Sequence, residues 1–193
     1  MKTITKFSTA VFLLASSLIF NLSAQVKENS TFDVSFSPEV GLPIGDLSDR
    51  YNWSLGGSVE VEYSANNRFR LTFNTGYFNL FANNSGYALD DKRYGKDLNI
   101  LPVAFGLKYF LAGPLFIQGA AGASFLLNKA DGGYDRTPVF TYSPQIGYRF
   151  DLGNEQFMYV GIKWIGSAKF TDNGTANHIL GLRVTYGAGV GFY

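Results

Sequence analysis

From residue 31 onward the sequence alternates apolar and polar residues with a period of two, in segments of about ten to fourteen residues. Strands of soluble proteins average about five or six residues, whereas a strand crossing hydrocarbon at a tilt needs about nine to eleven. Strand segments are expected over 31–40, 53–64, 68–80, 99–110, 115–128, 139–150, 156–165 and 178–192. Over 53–64, Leu55, Val59, Val61 and Tyr63 share one face while Ser58, Glu60 and Glu62 share the other. Over 68–80, Phe69, Leu71, Phe73 and Tyr77 oppose Arg68, Arg70, Thr72 and Asn74. Over 139–150, Phe140, Tyr142, Ile146, Tyr148 and Phe150 oppose Thr141, Ser143, Gln145 and Arg149. Short connections at 65–67, 111–114 and 151–155 alternate with longer polar ones at 41–52, 81–98, 129–138 and 166–177. The expected class is all-β: an eight-stranded antiparallel transmembrane up-and-down β-barrel, with both chain ends on the short-turn side.

The start of the chain reads differently. Lys2 and Lys6 precede an apolar run over 10–20, and Ser23 and Ala24 follow before Gln25. This predicts a cleavable signal peptide over 1–24 and a single barrel domain over 25–193, because the apolar run is shorter than the roughly 20 residues of a spanning helix. The chain contains no cysteine, which excludes a disulfide scaffold, a thiolate metal site and a cysteine nucleophile. A net charge of +1 suits no nucleic-acid binder, while 22 glycines and 17% aromatic residues suit a barrel with aromatic girdles.

Alternation alone leaves open which face meets lipid, since a secreted ligand-carrying barrel would turn its large apolar face inward. Size decides for the membrane: large aromatic and aliphatic side chains would overfill an eight-stranded barrel, which has room for side chains or one small ligand. The interior is then expected to hold Asp33, Glu39, Glu60 and Glu62 with Arg68, Arg70, Lys108, Arg149, Lys163 and Arg183 as an ion network. Closure is expected to set Arg183 beside Asp33, with Arg68 and Arg70 beside Glu60 and Glu62. Turned inside out, each Arg or Lys near the bilayer midplane would cost about 2 to 4 kcal/mol, which fixes the register.

The last segment runs Thr185-Tyr186-Gly187-Ala188-Gly189-Val190-Gly191-Phe192-Tyr193. With the topology above, it resembles the small bacterial outer-membrane β-barrel proteins, the eight-stranded kind grouped under porin-family headings. In that class the final strand carries a signal for the barrel-assembly machinery, matched here by Thr185, Gly187, Val190 and Phe192; Tyr193 adds one residue beyond it. The resemblance implies residence in the bacterial outer membrane, reached through the periplasm. It also implies contact with outer-membrane lipid and lipopolysaccharide, and delivery by the assembly machinery.

Little catalytic chemistry is legible. His178 lies near Ser167 and Asp172 in sequence, the residue types that some lipid A-modifying acyl hydrolases or transferases use, but no supporting spacing accompanies them. Loop aspartates at 46, 49, 90, 91, 131, 135 and 172 lack the spacing of a calcium loop. The expectation is a non-enzymatic protein without cofactor, metal or nucleic-acid partner. Its polar interior is largely plugged, and its exposed loops serve structure, adhesion or contact with an extracellular ligand. The alternative is a narrow porin or transporter for small or hydrophobic solutes, and a lipid A-modifying enzyme is the third reading.

Overall fold

The computed structural model describes residues 32–83, 95–129, 134–172 and 175–190. The predicted signal peptide, Phe192 of the assembly signal, and the loop aspartates at 90, 91 and 131 lie outside these. The strands are β1 (Phe32–Ile44), β2 (Tyr51–Ser64), β3 (Phe69–Ala82), β4 (Leu98–Ala112), β5 (Leu115–Leu126), β6 (Val139–Gly153), β7 (Gln156–Ser167) and β8 (Asn177–Val190). A single 3-10 turn, Gly45–Leu47, joins β1 to β2. Each strand pairs antiparallel with its sequence neighbours, and β8 returns to pair with β1, so the sheet closes into a barrel with no free edge.

The pleat sorts side chains as the alternation requires. Along β4 the outward residues Phe105, Leu107 and Tyr109 are exposed, and Lys108 between them is buried in the lumen. Outward aromatic residues collect in two belts. Toward the short turns lie Phe32 against Tyr63, Phe69 against Tyr109, and Tyr148 against Phe150. Toward the loop end Trp53 stacks on Phe81 at 4.2 Å, Phe140 lies beside Tyr142, and Trp164 lies beside His178. Between the belts the outer surface is largely aliphatic, with the Phe73–Phe105 pair and Tyr77 among it, the outer surface of a protein solvated by lipid.

Three prolines stand in mid-strand, where a missing N–H removes a ladder bond. Each keeps one neighbour and loses the other. Pairing of β1 with β8 lapses between Phe36↔Tyr186 and Glu39↔Arg183, around Pro38. Pairing of β3 with β4 lapses between Thr75↔Val103 and Phe78↔Ile100, around Pro102, where the Thr75 hydroxyl donates to the Pro102 carbonyl at 3.0 Å. Pairing of β6 with β7 lapses between Tyr142↔Gly166 and Gln145↔Lys163, around Pro144.

The two-residue turn Asn154-Glu155 between β6 and β7 has φ of 51° and 58°, a left-handed pair that Asn tolerates and Glu does not favour. Both carboxylate oxygens of Glu155 are buried without a hydrogen-bond partner. Glu155→Gly is therefore expected to stabilise the barrel by about 1 kcal/mol, read as a higher urea midpoint in lipid vesicles. A lowered midpoint would show that the turn is not strained.

Candidate functional site in the barrel lumen

The charged lumen is assembled from every part of the sheet, because alternate residues of all strands converge on one axis. In its lower half, toward the short turns, Arg70 from β3 pairs with Asp33 from β1 and lies 3.3 Å from Glu62 of β2. Lys108 from β4 reaches Glu62 at 2.5 Å and Glu60 at 3.1 Å. Arg149 from β6 approaches Asp33 at 3.6 Å and pairs with the exposed Asp151 at 2.5 Å. Higher up, Arg183 from β8 lies 3.2 Å from Glu60 and 3.4 Å from Glu39, and Lys163 from β7 lies 3.2 Å from Glu39. The chain of contacts from Asp33 through Arg70, Glu62, Lys108, Glu60, Arg183 and Glu39 to Lys163 is unbroken.

Neutral groups complete the coordination. Gln118 donates to Glu60 at 2.8 Å, Ser58 to Glu39 at 2.6 Å, and Tyr159 to Glu62 at 3.3 Å. Burying charge is costly unless every ion is paired and hydrogen-bonded, and this network meets that condition at its carboxylates. Beneath it lies an aromatic floor of Phe110, Phe116, Phe157 and Tyr159. The Lys108 ammonium sits 4.0 Å from the Tyr159 ring centroid and Arg149 sits 4.3 Å from that of Phe157, so the cations are held by rings as well as by acids. Two inner-wall glycines make room for this floor: a Cβ at Gly147 would strike the Phe116 ring, and one at Gly187 the Phe157 ring.

The upper lumen is different in kind. Leu47, Tyr51, Leu80, Leu98, Ile100, Leu126, Tyr134, Val139, Phe170 and Ile179 form a buried apolar cluster at the loop end. The loops are braced over it: Tyr51 and Tyr134 share a 2.7 Å hydrogen bond, Arg136 pairs with Asp172 at 2.6 Å, and Thr175 donates to Asp46 at 2.7 Å. Between this apolar roof and the Glu39–Lys163 pair is a cavity of about 50 Å³.

The sequence-derived network is thus assembled from Asp33, Glu39, Glu60, Glu62, Arg70, Lys108, Arg149, Lys163 and Arg183, with two corrections. Arg68 is not in the lumen: it ends the β2–β3 turn and is exposed, because the turn takes up residues 65–68 and strand alternation begins only at Phe69. Arg183 does not sit beside Asp33. The β1–β8 register places Gly189 opposite Asp33 and Arg183 opposite Glu39, so its partners are Glu39 and Glu60. Thr185 faces the lumen and shares a 2.8 Å hydrogen bond with Ser37, Gly187 receives the Phe157 ring, and Val190 ends β8.

The candidate catalytic set is not brought together. Ser167 points inward and bonds Thr141, His178 lies beside Trp164 on the outer surface, and Asp172 is held by Arg136. Among the described residues, no group of three or more His, Asp or Glu converges as a metal would require. The aromatic floor and apolar roof escaped sequence reading, although the inward phase of Phe78, Leu80, Phe110, Phe116 and Phe157 was already implied by their register with the charged positions.

These features define a transmembrane β-barrel with an ion-filled lumen. The chain belongs to the family described as "Putative MetA-pathway of phenol degradation", which it matches over residues 12–164. No curated protein matches it in sequence. Among solved structures it is similar to Neisserial surface protein A, at 13% identity over 86% of this chain and 100% of that one, with a TM-score of 0.51. The outer membrane protein AlkL is similar at 15% identity over 84% of this chain and 89% of that one, with a TM-score of 0.49. Ail, the attachment invasion locus protein of Yersinia pestis, is similar at 12% identity over 82% and 96%, with a TM-score of 0.46. At 13% identity the likeness to Neisserial surface protein A is one of fold.

Proposed function

We propose that this protein is a non-enzymatic integral barrel of the bacterial outer membrane whose lumen is closed to free diffusion. Its loops present a braced surface for structural, adhesive or ligand contacts in the envelope. In this reading lipid and lipopolysaccharide surround the two aromatic belts, and the last strand, through Thr185, Gly187, Val190 and Phe192, engages the assembly machinery. The observation that carries the closed lumen is the unbroken ionic chain from Asp33 to Lys163 standing on an aromatic floor. An eight-stranded barrel leaves little lumen once such groups occupy it.

Planar-bilayer recording of the purified, folded protein tests this. The expected result is a silent bilayer. Reproducible conductance that changes on Arg70→Ala or Glu62→Gln would overturn closure and favour the second reading, a narrow path for small solutes. That reading is supported by the hollow upper lumen and by a family named for phenol degradation, which makes small aromatic molecules the first solutes to try.

A further inference from the structure

The cavity above the ion network has two unlike walls. Its floor and sides carry Asn74, Ser143 and the Lys163 ammonium, and its roof carries Phe78, Ile165 and Phe170. Asn74 is 5% exposed, and its Nδ2 is buried with no hydrogen-bond partner. Its cross-strand neighbour Glu60 does not relieve this: the carboxylate accepts from Lys108, Gln118 and Arg183 instead. A buried amide left without an acceptor costs about 1–3 kcal/mol, so a donor of this kind on a side chain that lines a cavity marks a place for an acceptor atom once the amide turns inward.

We propose that the upper lumen is a binding site for a small solute carrying an oxygen acceptor, a carbonyl or hydroxyl, on a compact apolar body. The acceptor oxygen takes the Asn74 Nδ2–H bond near the Lys163 ammonium. The apolar body lies under Phe78, Ile165 and Phe170. The cavity of about 50 Å³ has room for a few water-sized groups with the roof in place, which limits the ligand to a few heavy atoms. A larger homologue needs the roof to be cut back. The site lies above the ionic chain, so it stands whether or not the floor conducts.

The test is a titration of the folded, isotope-labelled protein in detergent micelles with acetone, followed by NMR at the Asn74 side-chain amide and the backbone amide of Ser143. Saturable shifts at both are expected, while the backbone amide of Ile146, whose side chain faces lipid, drifts linearly with partitioning. Asn74→Leu, which keeps the heavy-atom count and branching and removes the donor, is expected to weaken binding about fivefold as read at Ser143. Should that variant not fold, Ile179→Ala, which trims the roof, is expected to tighten binding of 2-butanone relative to acetone. Linear shifts throughout, equal affinity in Asn74→Leu, or no gain in Ile179→Ala would each overturn the proposal. So would an Asn74 amide that holds a bound water which acetone does not displace.

Discussion

Glu60→Ala is expected to lower the stability of the barrel by about 3–5 kcal/mol, the largest loss foreseen for any single change in the lumen. Glu60 is almost wholly buried and receives Lys108 at 3.1 Å, Arg183 at 3.2 Å and Gln118 at 2.8 Å. Removing it strands two cations midway along the ionic chain with one carboxylate each, Glu62 and Glu39. The measurement is urea unfolding in lipid vesicles, and a loss below about 1 kcal/mol would show that the network is incidental. The double variant Glu60→Leu with Lys108→Met is expected to recover part of the loss. Replacing a buried ion pair by apolar groups is far cheaper than orphaning one partner, and contacting residues are not additive.

Phe105→Arg is expected to cost about 2–4 kcal/mol by the same measurement, for an unrelated reason. Phe105 is the middle residue of β4, points outward and is 69% exposed, more than any other large apolar residue described. In a water-soluble barrel such a substitution would be harmless or favourable. In lipid it places a guanidinium at the hydrocarbon midplane. Leu111→Arg, also outward but near the short-turn end of the same strand, is expected to cost about 0–1 kcal/mol, because the penalty falls toward the interface. Equal effects at the two depths would contradict the assignment of the bilayer.

The barrel itself was legible because period two, strand length and alternating connection lengths are local properties that survive into the folded state. The faces of β2, β3 and β6 follow the sequence reading residue by residue through their cores. What local pattern could not show is longitudinal position. Phe110 and Phe157 read as ordinary strand ends, yet closure brings them together with Phe116 and Tyr159 as one floor. Arg68 shares the parity of Arg70, but the turn claims it before the pleat begins. Arg183 met Glu39 rather than Asp33 because the stagger between the first and last strands is set by closure of the whole sheet, which no single segment encodes. The mid-strand prolines carry a similar lesson: each is tolerated on the side where the ladder lapses, a fact visible only once both neighbours are known.

The apolar surface of the barrel faces lipid and the ionic one faces the axis. The absence of cysteine from the chain allows single-cysteine spin labels to be read without background. Labels at Leu101, Val103, Phe105, Leu107 and Tyr109 of β4 in reconstituted vesicles report collision with oxygen, which concentrates in hydrocarbon, and with a water-soluble nickel chelate. The predicted profile has oxygen collision highest and nickel collision lowest at Phe105, with both trends reversing toward the two ends. Ready access of the nickel chelate to the label at Phe105, with no depth profile along β4, would contradict it.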